Sequence, residues 1–97
     1  MSNLILTRKP GQSVDLFDNS TGRSLTLNLI SAVNGRAMIH FDGGPAFTLH
    51  LGQNAPAPSM DLSVALIAMQ GRCARLVFNA PRTIDIVRTE LKRHASH

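Results

Sequence analysis

Ninety-seven residues suffice for one compact domain and are too few for two ordinary ones. The chain is 43% hydrophobic, yet only four residues are aromatic, all of them Phe, so the core must be aliphatic. Without Trp or Tyr it lacks the usual large stacking platforms of single-strand binders.

Ten Lys and Arg stand against six Asp and Glu, and the resulting charge of +4 with a pI near 10.7 points to nucleic acid or another anionic surface. One cysteine, Cys73, excludes an internal disulfide framework and fits a reducing compartment. No apolar run reaches spanning length, and Met1 to Leu6 lacks the basic flank and apolar stretch of a signal peptide. The expectation is a soluble, cytoplasmic protein with no membrane partner.

In chain order, short apolar runs alternate with turn residues, which predicts strands. Leu4 to Arg8 is the first, closed by Lys9-Pro10-Gly11, and Ser13 to Phe17 is the second. Asp18 to Gly22 is a turn by composition. Ser24 to Val33 puts Leu25, Leu27 and Leu29 on one face, with Thr26 and Asn28 on the other. Asn34-Gly35 is the strongest hairpin signal, and Arg36 to Phe41 returns as a strand. After Asp42-Gly43-Gly44-Pro45, Phe47 to Leu51 is another strand. Gly52 to Met60, rich in Ala and Pro, reads as a linker with little that could pack. Leu62 to Met69, Cys73 to Phe78 and Thr83 to Val87 are the last strands, and Thr89 to about Ala95 is a short helix.

Sliding the chain by 37 positions lays Leu25-Thr26-Leu27-Asn28-Leu29-Ile30 on Leu62-Ser63-Val64-Ala65-Leu66-Ile67. Ile39 then falls on Leu76, Phe41 on Phe78, Phe47 on Ile84 and Leu49 on Ile86. The pattern defines a diverged repeat at about 3–51, a linker at 52–60 and a second repeat at about 61–97.

Two segments carry a resemblance to a known family. Leu4-Ile5-Leu6-Thr7-Arg8-Lys9 followed by Gly11, and Leu62 to Arg93 with Gln70-Gly71, Asn79-Ala80-Pro81 and Ile84-Asp85-Ile86-Val87-Arg88-Thr89-Glu90-Leu91, resemble the two ends of the CsrA/RsmA family of bacterial post-transcriptional regulators. The resemblance implies an all-β fold with a short C-terminal helix and intertwined antiparallel sheets. In that family two chains form a dimer and bind GGA-containing hairpin loops of messenger leaders. Each RNA site is composite, with the first strand of one subunit beside the last strand of the other.

Carried over by position, the RNA-binding residues are Leu6 and Arg8 from the first strand, Asn79, Ala80, Pro81 and Arg82 from the loop, and Ile84, Ile86 and Arg88 from the last strand. The first repeat departs from the pattern: Leu51 stands where the second has Arg88, and Asp42-Gly43-Gly44 replaces the Asn-Ala-Pro loop. One opening strand and one arginine-bearing closing strand survive. Two fused repeats folded as a single-chain pseudo-dimer would therefore keep one RNA site and lose the other. An insertion within an ordinary homodimer is the alternative.

Arginine offers a rigid fork of donors suited to phosphate or to the Hoogsteen edge of guanine. Edge strands add backbone donors and acceptors, which read purine edges without stacking. No catalytic or metal-ligating motif accompanies them: His40, His50, His94 and His97 lack HxxxH or CxxC company, and Ser59 and Ser63 lack a base. The expectation is a non-enzymatic RNA-binding translational regulator without cofactor, metal or small-molecule substrate. The alternative is a protein-interaction decoy or heterodimer partner of a conventional family member.

Overall fold

The alternation that marks the strands also fixes their faces, because successive side chains on a strand point to opposite sides of a sheet. The computed structural model describes residues 2–89. Among them run β1 (Ser2–Arg8), β2 (Ser13–Asp18), β3 (Arg23–Val33), β4 (Arg36–Phe41), β5 (Phe47–His50), β6 (Asn54–Pro56), β7 (Ser63–Gln70), β8 (Cys73–Ala80) and β9 (Ile84–Arg88). They form two antiparallel sheets, ordered β1-β8-β7-β6 and β5-β4-β3-β2-β9. One core lies between them, with Val14, Leu27, Ile39, Leu49, Val64, Leu66, Leu76 and Phe78 wholly buried. The all-β expectation holds. From Glu90 onward the expected helix at Thr89 to Ala95 lies outside the described residues.

The two central hairpins repeat each other in detail. Leu27 faces Phe41 and Leu29 faces Ile39, while thirty-seven positions on Val64 faces Phe78 and Leu66 faces Leu76. Both ladders then slip by one residue, between Leu29 and Ser31 and between Leu66 and Ala68. A bulge turns its extra residue out of the pairing, and accordingly Ile30 and Ile67 are each 43% exposed. Both hairpins close in two-residue turns. Asn34 (φ 53°) and Gly35 (φ 73°) are both left-handed, as a type I′ turn requires, whereas Gly71 (φ 60°) alone is left-handed before Arg72.

The strands outside these hairpins are exchanged between the sheets. β1, from the start of the chain, pairs with β8 in the register Leu6↔Leu76, and β9, from its end, pairs with β2 in the register Leu16↔Ile86. β5 instead folds straight back on β4, Ile39 facing Phe47, through a turn in which Gly43 has φ 84° and the Gly44 N–H donates to the Phe41 carbonyl. After β8, Pro81 has no N–H to extend the ladder, and the chain crosses to the other sheet. There the Asn19 N–H donates to the Thr83 carbonyl at 2.8 Å.

This corrects the sequence alignment of Phe47–Leu51 with Ile84–Arg88. β5 occupies in its sheet the place beside β4 that β1 occupies beside β8, and no described strand stands beside β6 as β9 stands beside β2. A second correction concerns residues 52–60, which are not a bare linker. Asn54–Pro56 pairs with β7, the Ala57 N–H donates to the Leu62 carbonyl, and Ala57 and Met60 are buried in the core. Pro56 is tolerated because its strand is short and at an edge.

The β2–β3 turn is held by Asp18. Its Oδ1 accepts from the Ser20 hydroxyl at 2.7 Å and the Ser20 N–H at 2.9 Å, and these bonds hold its carboxyl below the ordinary aspartate range. A depressed folded-state pKa contributes stability that is complete above the unfolded-state value and is lost as pH falls through the folded one. The Asp18→Asn variant should therefore show a shallower loss of stability below about pH 4 than the native chain. Urea midpoints measured across that range check this, and parallel acid limbs would refute it.

Candidate nucleic-acid interface

The strand exchange brings the two ends of the described chain to one side of the molecule. Ser2 of β1 faces Ala80, and Ile84 of β9 follows Ala80 after three residues, facing Asp18. At the other end β1 stops at Arg8, before the Lys9–Gln12 turn, and Arg88 faces Val14, just beyond that turn. β1 and β9 therefore run in the same direction between the same two corners. Each is the outermost strand of its sheet, so each has one unpaired edge. Such edges present backbone N–H and C=O groups to whatever approaches.

The sequence-derived site residues divide by burial. Leu6 and Ile84 are 6% exposed and belong to the core, as does Ala80, while Ile86 is half-buried against it. Asn79 and Pro81 are half-buried, and Arg82 and Arg88 are exposed. Asn79 faces both Asn3 and Ser63, on the outer surface of its sheet.

Arg8 requires a correction. The resemblance carries it over as an RNA contact, yet its side chain is only 4% exposed. Its Nε donates to the Thr7 carbonyl at 2.9 Å and its Nη1 to the Ser13 carbonyl at 3.2 Å. It thus bonds the end of β1 to the start of β2, directly behind Val14 and its partner Arg88. Removing it would leave the part-buried Ser13 carbonyl without this donor, at a cost of about 1 kcal/mol. Arg8→Ala is accordingly expected to lower the urea midpoint, whereas Arg82→Ala should leave it within error.

Two cations that sequence spacing does not associate also come together. Lys9 and Arg72, with Pro10 and Cys73, line a pocket of about 340 Å³. Continuing the β1–β8 register, in which Arg8 faces Ala74 and Thr7 faces Arg75, places Lys9 beside Cys73. The turn presenting Lys9 is fixed: the Gln12 N–H donates to the Lys9 carbonyl, Gln12 Oε1 accepts from the Lys9 N–H, and the Gly11 N–H donates to the Leu29 carbonyl. Only the long-range strand pairing could have revealed this meeting.

The opposite side of the molecule is chemically different. Phe41, Gly44, Pro45, Phe47, Pro56, Ala57 and Pro58 line a pocket of about 330 Å³. The Phe41 and Phe47 rings stack there with centroids 6.3 Å apart. Gly44 and Pro45 stand thirty-seven positions before Pro81 and Arg82, so this is the counterpart of the 79–82 loop, without its arginine.

Among the described residues no group of three or more His, Cys, Asp and Glu could hold a metal ion, and no helix is long and apolar enough to cross a membrane. Asn28 Nδ2 instead ties His40 Nδ1 (3.1 Å) to Asp42 Oδ1 (2.8 Å) in a polar row on the outer face of the β2–β4 sheet. Comparison of the chain with models of protein families, with curated proteins and with solved structures finds no match.

Proposed function

We propose that this chain binds GGA-containing RNA hairpin loops, as the CsrA/RsmA dimers it resembles do, and thereby modulates translation. The observation that carries the reading is the strand exchange. The first strand completes the sheet of the second repeat, and the last strand completes the sheet of the first. One chain then does what two intertwined subunits do in that family, and it yields one composite site bounded by the free edges of β1 and β9. Unstacked loop bases are what sequence-specific RNA binders usually read, and backbone edges with an arginine fork suit a reader without Trp or Tyr.

Within this reading Arg88 and Arg82 are the exposed cationic contacts, and Asn79, Ala80 and Pro81 shape the corner. Leu6, Ile84 and Ile86 form the floor, and Arg8 positions β1 against β2. The counterpart site is lost, because β6 has no β9-like neighbour among the described residues and an apolar pocket stands in place of the arginine-bearing loop.

A gel-shift titration with a GGA hairpin and its CCA variant tests the recognition. Preference for GGA is expected. Light scattering with and without RNA should give one chain and one hairpin. A stable dimer holding two hairpins would overturn the single-chain version and leave the family reading standing. The second reading, a protein-interaction module, is favoured by one observation, the Phe- and Pro-lined pocket. Equal or absent binding of both hairpins would select it.

A further inference from the structure

We infer that the Lys9–Arg72 pocket is a phosphate-binding extension of the RNA site, holding the backbone of the stem that flanks the loop. The inference rests on the proposed RNA reading and assigns to that interface an element no loop contact requires. Its basis is the uneven charge of the two corners between which β1 and β9 run.

At the 80–84 corner, the exposed Arg82 shares its surroundings with acids. Ile84 faces Asp18, and Asp85 Oδ2 accepts from Asn19 Nδ2 at 3.1 Å. At the opposite corner Lys9 and Arg72 line the pocket, Arg75 lies on the same outer sheet face opposite Thr7, and Arg88 stands across the Lys9–Gln12 turn. None of these four cations makes an ion pair among the described residues. A polyanion leaving the β1–β9 edges in this direction meets four cations and, among the described residues, no ion pair, whereas in the other direction Arg82 and Arg23, the residue facing Asp18, are offset by Asp18 and Asp85. The pocket volume of about 340 Å³ accommodates a phosphate together with its sugar. Its two polar side chains, Lys9 and Arg72, are cationic donors that suit phosphate oxygens, and a grip on the backbone here leaves sequence reading to the loop, a division of labour usual in nucleic-acid interfaces.

Cys73 makes occupancy measurable. It is the chain's sole cysteine, a free thiol in the pocket wall. Saturating hairpin RNA is expected to slow its alkylation by iodoacetamide several-fold, and an RNA carrying the loop sequence without a stem to leave it unchanged. Lys9→Gln with Arg72→Gln should lower the slope of log affinity against log salt by about one per removed phosphate contact while preserving the GGA-to-CCA ratio.

Native alkylation rates under a saturating, gel-shifted hairpin would overturn the inference, as would a loss of the GGA preference in the double variant. Equal protection by millimolar inorganic phosphate would mark a small-anion site and overturn the stem assignment. If GGA and CCA hairpins bind the native chain alike, loop recognition fails on its own, and protection and salt slope with either hairpin still decide the pocket.

Discussion

Arg88→Ala is expected to weaken binding of a GGA hairpin by about one to two decades, the range of roughly 1–3 kcal/mol that one specific guanine contact is worth. The residue ends β9 with its side chain exposed, and truncating it removes no ion pair among the described residues. Thermal and urea unfolding should be unchanged. That combination separates Arg88 from Arg8, whose loss lowers stability first and binding only through it. Arg88→Lys keeps the charge but not the fork; a base contact predicts that it recovers little, and a phosphate contact that it recovers most of the affinity. Retention of native affinity by Arg88→Ala would remove β9 from the interface.

The contrast between the two arginines also shows what the sequence can and cannot disclose. Both stand at strand ends after short apolar-rich runs. Arg8, unlike Arg88, donates to the Ser13 carbonyl, a backbone group that any residue at that position would supply. Local signals served well where the cause was local. Asn34-Gly35 makes the turn its type favours, and Arg36–Phe41 spans the expected strand.

The repeat was legible because its spacing is conserved through a bulge, which keeps Leu27 and Val64, Ile39 and Leu76 on inward faces alike. β6 was not, since three residues containing a proline carry no periodicity and form a strand only because β7 offers an edge. The placement of β5 hinged on the sharpness of the Gly43-Gly44 turn compared with the crossing at Pro81. That difference is in backbone direction, and apolar spacing does not record it. The Lys9–Arg72 pocket, likewise, exists only once β1 lies on β8.

The quasi-repeat supplies a matched pair for the largest stability effect. Phe41 and Phe78 hold corresponding places in the two hairpins, facing Leu27 and Val64. Phe78 is wholly buried, and Phe78→Ala should cost about 3–5 kcal/mol. At roughly 4–8 °C per kcal/mol for a domain of this size, Tm should fall by tens of degrees. Phe41 is 3% exposed but forms a wall of the Pro45–Pro58 pocket, so its removal enlarges a space that already exists. The cost of a truncation depends on whether its surroundings leave a closed void, and Phe41→Ala should therefore cost distinctly less.

The functional consequence differs too. Phe78 immediately precedes Asn79 and Ala80, and Ala80 faces Ser2, so loosening it frees one corner of the β1–β9 strip. At a temperature where both variants remain folded, Phe78→Ala should lose RNA affinity and Phe41→Ala should retain it. Equal losses of stability and affinity in the two variants would mean that the two halves of the molecule are energetically alike, and that only one of them carrying an RNA site has no basis in the packing.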